Sequence, residues 1–104
     1  RRAIAHAGVT LEVAEVAQPN DLVPLGKIAC WSPSKIAHDV VDVPPGHNDA
    51  RAGRAAYECL VAAAEAALAK RVDAITTAPL SKAALHLAGL KYPGHTEILA
   101  EVYK

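Results

Sequence analysis

The chain of 104 residues is one small globular domain at most, with 52% hydrophobic side chains and 11 basic residues balanced by 11 acidic ones. Zero net charge, with no block of like charge, removes the electrostatic case for binding nucleic acid or an anionic membrane, and neither a secretory signal nor an apolar run of about 18 residues occurs. Alanine supplies much of the apolar content, with no Phe, no Met and one Trp, so the core is thin and the segment is expected to pack against more protein.

The opening Arg1–Gly8 reads as the last turns of a helix with Gly8 as its C-terminal cap. At the other edge the sequence stops inside a helical pattern. Both edges lead to the expectation of a fragment of a larger protein. Val9 to Val16 alternates apolar and polar positions and predicts a half-buried strand. Pro19-Asn20-Asp21 breaks it, and Gly26 to Trp31 predicts a second short strand. Ser32 to Gly46, with Pro33, Pro44 and Pro45, predicts a loop containing one extended piece at Asp39 to Val43. Cys30 and Cys59 fit no CxxC or zinc spacing and read as buried thiols of a cytosolic protein.

Asn48-Asp49 offers a helix N-cap, and Ala50 to Lys70 follows a helical pattern. Tyr57, Leu60, Val61, Ala64 and Leu68 share one face; Arg51, Arg54, Glu58 and Glu65 mark the other. Val72 to Thr77 is rich in β-formers and predicts a strand. Ser81 caps a short helix over Lys82 to Ala88, closed by Gly89. After a turn containing Pro93, His95-Thr96-Glu97 opens a last helix with Thr96 as its expected cap. This order is α/β and predicts a parallel or mixed sheet with flanking helices.

In such folds ligands bind where strands run into loops and helices, which places Thr76, Thr77, Ser81 and Lys82 at a candidate site. Gly94-His95-Thr96 stands at another helix N-terminus, where free N–H groups and the dipole favour an anion. His95 adds a donor or acceptor and Thr96 a hydroxyl. Together they permit a site for a small anionic, hydroxylated substrate. The plainer readings are that Ser81 and Thr96 are helix caps, that Lys82 is a solvated lysine, and that His38, His47 and His86 are surface or packing residues. No HxH, HExxH, P-loop or GxGxxG spacing occurs.

The run TAPLSKAALHLAG followed by YPGHTEILAE resembles the signature region of the 4-hydroxythreonine-4-phosphate dehydrogenase family. The match is dense over the last third of the chain and loose over the first 45 residues. The resemblance implies two α/β domains similar to isocitrate and isopropylmalate dehydrogenases, a fold that binds NAD without the Gly-rich fingerprint. Residues 1–104 would be one fragment of that enzyme, with strands and loop over 1–45 and a helix-strand-helix segment over 46–104 carrying the substrate motif. The implied reaction is NAD(P)-dependent oxidation of 4-phosphooxy-threonine, with decarboxylation to an amino-ketone phosphate, in vitamin B6 synthesis. It further implies a cytoplasmic homodimer and a divalent metal (Zn, Mg or Co) whose histidine ligands lie outside this chain. By the same resemblance His95 and Thr96 bind substrate, and Lys82 contacts its phosphate or serves local structure. No catalytic, cofactor or metal residue is assigned within the chain, and the fragment alone is expected to be inactive. A dehydrogenase of a phosphorylated four-carbon sugar acid, such as 4-phospho-threonate or 4-phospho-erythronate, shares these motifs. The reading from another class is a non-catalytic α/β interaction domain.

Overall fold

The computed structural model describes residues 2–33 and 40–104, so His38 and Asp39 lie outside the described residues. Two compact units result, Arg1–Ser32 and Pro33–Lys104.

The first unit starts with helix α1 (Arg2–Ala7). Gly8 takes the left-handed conformation (φ 69°) that glycine adopts without a Cβ clash, and its N–H returns to the Ala5 carbonyl at 3.2 Å. Strands β1 (Glu12–Val16) and β2 (Lys27–Trp31) pair in parallel, with Glu12 opposite Lys27 and Val16 opposite Trp31. The predicted strands are present, the first one shorter than the alternation suggested. Between them, the Asp21 carboxylate accepts from the N–H groups of Ala17 and Gln18 at 3.1 and 3.0 Å. The Pro-Asn-Asp break is thereby a closed turn. Leu22 and Leu25 stand fully in solvent, and Cys30 is exposed rather than buried. The expectation of a buried thiol fails here because a sheet of two strands covers little of its own surface.

The second unit is built on the long helix α2 (Ala50–Leu68). Its cap is Asp49, whose Oδ1 accepts from the Arg51 N–H at 2.8 Å and whose carboxylate also pairs with the Arg51 guanidinium at 3.0 Å. These Arg51 bonds hold the Asp49 carboxyl below the usual carboxylate range. A depressed folded pKa contributes stability above the unfolded value near 3.8, and that contribution fades as pH falls through the lower folded value. Asp49→Ala is therefore expected to lower the thermal midpoint at neutral pH and to converge with the parent in strong acid. Melting curves across that range check it; an equal deficit at every pH would rule out the carboxylate as the cause.

The apolar face read from the sequence is the packed face, with Leu60 and Ala64 buried and Tyr57 and Val61 half-buried; its last member, Leu68, is exposed. Helix α2 ends two residues before the predicted Lys70. That lysine adopts a left-handed conformation (φ 60°), and the Arg71 N–H reaches back to Ala66 at 2.9 Å. Helix α3 (Lys82–Leu87) and helix α4 (His95–Val102) pack on α2, and Leu60, Leu85 and Ile98 form the shared core. Ser81 caps α3 as predicted, its Oγ accepting from the Ala84 N–H at 3.1 Å while donating to Asn48 Oδ1 at 3.0 Å. Arg54 on α2 donates to the Ala88 carbonyl at the far end of α3, at 3.1 Å.

Two further expectations from the sequence are corrected. The extended piece predicted up to Val43 is a 3₁₀ turn over Val40–Asp42, because the Val43 N–H closes on the Val40 carbonyl at 3.1 Å. The strand predicted over Val72 to Thr77 is irregular chain. A strand exists only by pairing, and among the described residues of this unit no other strand offers a ladder. No helix of the described residues is long and apolar enough to cross a membrane.

Candidate functional site

Gly94 occupies the cap position of α4 with extended backbone (φ 174°, ψ −163°) and has no side-chain cap bond. Thr96, the expected cap, is instead the second helical residue, because the helix begins at His95. The cap position consequently offers no side-chain acceptor to the first-turn N–H groups of α4, which carry the positive end of the helix dipole. Glu97, in that same first turn, places a carboxylate near this end. Thr96 is exposed and His95 half-buried.

His95 lines a cavity of about 260 Å³ whose other walls come from α2 (Ala56, Cys59, Leu60, Ala63) and from the irregular run Ile75 to Leu80. Thr76 and Thr77 are among its lining residues. The sequence-predicted residues thus divide: His95, Thr76 and Thr77 meet at one cavity, while Thr96, Ser81 and Lys82 are not among its lining residues. Ser81 is used as a cap and as a tether to Asn48. Lys82 is exposed at the first position of α3. Cys59, expected to be a buried thiol, is exposed and borders the cavity; the register of α2 turns it away from the Leu60 face. Nothing in its spacing to His95 announced that meeting, since the two are joined only through the packing of α4 on α2.

The turn leading into the site is clamped. Tyr92 donates from its hydroxyl to Glu101 Oε2 at 2.7 Å, and its ring stacks on Tyr57 of α2 with centroids 5.6 Å apart and planes 17° from parallel. The Glu101 bond first, then Tyr57 and burial, push the Tyr92 phenol above its ordinary range, so it remains a donor. His86 and His47 are exposed, and His47 Nδ1 lies 3.2 Å from the Pro45 carbonyl. Among the described residues no group of three or more His, Cys, Asp or Glu could hold a metal ion.

The fold and the site together describe an α/β segment, with a parallel strand pair in one unit and, in the other, a helix N-terminus beside a small cavity. The family of the pyridoxal phosphate biosynthetic protein PdxA matches residues 1–104, and the chain belongs to that family. It is 41% identical over 101 residues to D-threonate 4-phosphate dehydrogenase of Pectobacterium atrosepticum, covering 89% of this chain and 28% of that protein. It is 38% identical over 104 residues to 4-hydroxythreonine-4-phosphate dehydrogenase of Trichlorobacter lovleyi, covering 98% and 30%. The crystal structure of 4-hydroxythreonine-4-phosphate dehydrogenase from Klebsiella pneumoniae superposes with a TM-score of 0.84 at 38% identity, over 98% of this chain and 31% of that one. The chain thus spans about three tenths of the length of the curated relatives it matches.

Proposed function

We propose that these residues are the central segment of an NAD(P)-dependent dehydrogenase that oxidises the C3 hydroxyl of 4-hydroxythreonine-4-phosphate, with decarboxylation to an amino-ketone phosphate, in vitamin B6 synthesis. The observation that carries this reading is the family match over the whole of residues 1–104, with its Gly94-His95-Thr96-Glu97 segment opening α4 beside a cavity. In this reading His95 and Thr96 bind and orient the substrate. His95 offers an imidazole nitrogen to a substrate oxygen, Thr96 offers a hydroxyl, and the α4 N–H groups stabilise negative charge. Lys82 supplies a cation for the phosphate.

Among the described residues no cluster of three or more His, Cys, Asp or Glu fits a metal site. In this reading the divalent metal and NAD or NADP are held by the rest of a cytoplasmic homodimer, in a two-domain fold like that of isocitrate and isopropylmalate dehydrogenases. A second reading, oxidation of D-threonate 4-phosphate, is favoured by the 41% identical relative of that name. Its substrate carries a hydroxyl at C2 where the first carries an amino group.

The deciding assay offers both phosphorylated acids, with NAD⁺ and with NADP⁺, to the full-length protein and follows nicotinamide reduction. Turnover of one acid is expected, together with no turnover by residues 1–104 alone. If the full-length protein oxidised neither acid, nor 4-phospho-erythronate, the dehydrogenase reading would fall and the α/β interaction domain would be favoured. Activity of the isolated segment would overturn the placement of cofactor and metal outside it.

A further inference from the structure

We infer that Tyr92 is a positioning residue, whose bond to Glu101 and stack on Tyr57 hold the Gly94-His95-Thr96 turn in its binding conformation. This rests on the reading of His95 and Thr96 as substrate ligands.

The two ends of the clamp bracket the site in sequence. Tyr92 lies three residues before His95, and Glu101 lies in the last turn of α4, six residues after it. Six residues of helix span about 9 Å, so the Tyr92 side chain runs alongside α4 to reach Oε2 at 2.7 Å. The second contact fixes the ring from another element. Tyr57 stacks on it from α2, and both rings pack against the Leu60, Leu85 and Ile98 core. Helix α4 itself has a glycine cap and no side-chain cap bond to define its entry, and Gly94 has the widest conformational choice of any residue. The conformation of the Pro93-Gly94 turn is therefore set from outside it, by the residue that precedes it. A phenol kept protonated is suited to this, since its O–H is a donor throughout the neutral range.

Nothing in this clamp needs to touch substrate. Its effect is on how much of the population presents His95 and the α4 N–H groups in one geometry, and a turn that samples others binds with lower apparent affinity. A KM effect at nearly constant kcat is the result.

The test uses the full-length protein. Tyr92→Phe keeps the ring and the stack and removes only the hydroxyl. It is expected to raise KM for the phosphorylated acid about three- to tenfold, with kcat within about twofold. Glu101→Ala should match it, Glu101→Gln should recover most of the loss because its amide oxygen still accepts, and the Tyr92→Phe/Glu101→Ala double variant should be no worse than either single one. Amide exchange at 94–97 should quicken in Tyr92→Phe while the α2 amides stay as protected as before. Additive losses in the double variant, or an unchanged KM with unchanged exchange at 94–97, would overturn the inference. If the wild-type protein oxidised neither acid, the proposed function would fail. The exchange pattern would then decide the clamp by itself: faster exchange confined to 94–97 supports it, and none removes it.

Discussion

Gly53→Ala is expected to destabilise the protein by about 1–3 kcal/mol, the typical cost of overpacking a tight contact, although alanine is favoured over glycine inside a helix by about 1 kcal/mol. The sign is decided by where α2 and α3 cross. A Cβ on Gly53 would fall inside contact distance of the Ala84 carbonyl and within 2.8 Å of the Leu85 nitrogen, all of them backbone atoms. A side chain could rotate away; a peptide group in a helix cannot. The helices would have to separate, and that loosens Leu85, which is fully buried at the centre of the core. The same movement would strain the Arg54 bond to Ala88 and the Asn48–Ser81 tether, which hold α3 at its two ends. Valine at 53 should be worse than alanine, because its branches enlarge the clash. Denaturant midpoints of the full-length variants provide the measurement. A stabilised Gly53→Ala would mean that α2 and α3 do not cross at this distance.

Much of this arrangement was legible in the sequence, and the parts that were share a cause. Strong local signals gave the long helix: an Asp cap, an alanine-rich body and a 3.6-residue apolar stripe from Tyr57 to Ala64. Gly8, Ser81 and the Pro19-Asn20-Asp21 break were equally readable, because a cap or a turn is settled by one or two residues and their neighbours. What failed depended on partners distant in the chain. Val72 to Thr77 has strand composition, but composition does not supply the neighbouring strand that a ladder requires. The same ignorance hid Gly53, which looks like a weak point in a helix and is the contact that lets α3 approach. Thr96 lies two residues past the actual cap, since Gly94 can open the helix without a side-chain cap and threonine's preference for that position was outvoted. Cys59 was read as buried from residue type alone, while its exposure follows from its angular position on α2.

The site follows the same division. His95 and Thr96 were singled out through a motif, Thr76 and Thr77 through their place at the carboxyl end of a predicted strand, and the structure puts His95 and the two threonines on the wall of one cavity although the strand is absent. Tyr92 and Glu101 stand at the two ends of the YPGHTEILAE run and Tyr57 on the predicted apolar face, but a bond across nine residues and a stack between two elements leave no periodicity to detect. A motif names such residues without showing which side chains they meet, because their partners are set by packing.

On the proposed function, His95→Ala in the full-length protein is expected to lower kcat/KM for the phosphorylated acid by about 1.5–3 kcal/mol, the range of a lost hydrogen bond to a charged group, which is roughly ten- to a hundredfold or slightly more. Thermal stability should change little by comparison. His95 is half-buried at the cavity edge and is absent from the Leu60, Leu85 and Ile98 core, so truncation opens a cavity that already exists. The size of the effect separates the two things this end of α4 can do. If substrate charge is held mainly by the α4 N–H groups and Lys82, His95→Ala loses only the small increment of a neutral contact, and Lys82→Ala becomes the damaging change. If the imidazole is a principal ligand, His95→Asn should restore part of the loss, since an amide also donates and accepts within a similar reach. Kinetics of the three variants side by side decide it. Unchanged kinetics for His95→Ala would remove the residue from the site and leave Thr76, Thr77 and the apolar cavity wall as a space the substrate does not enter.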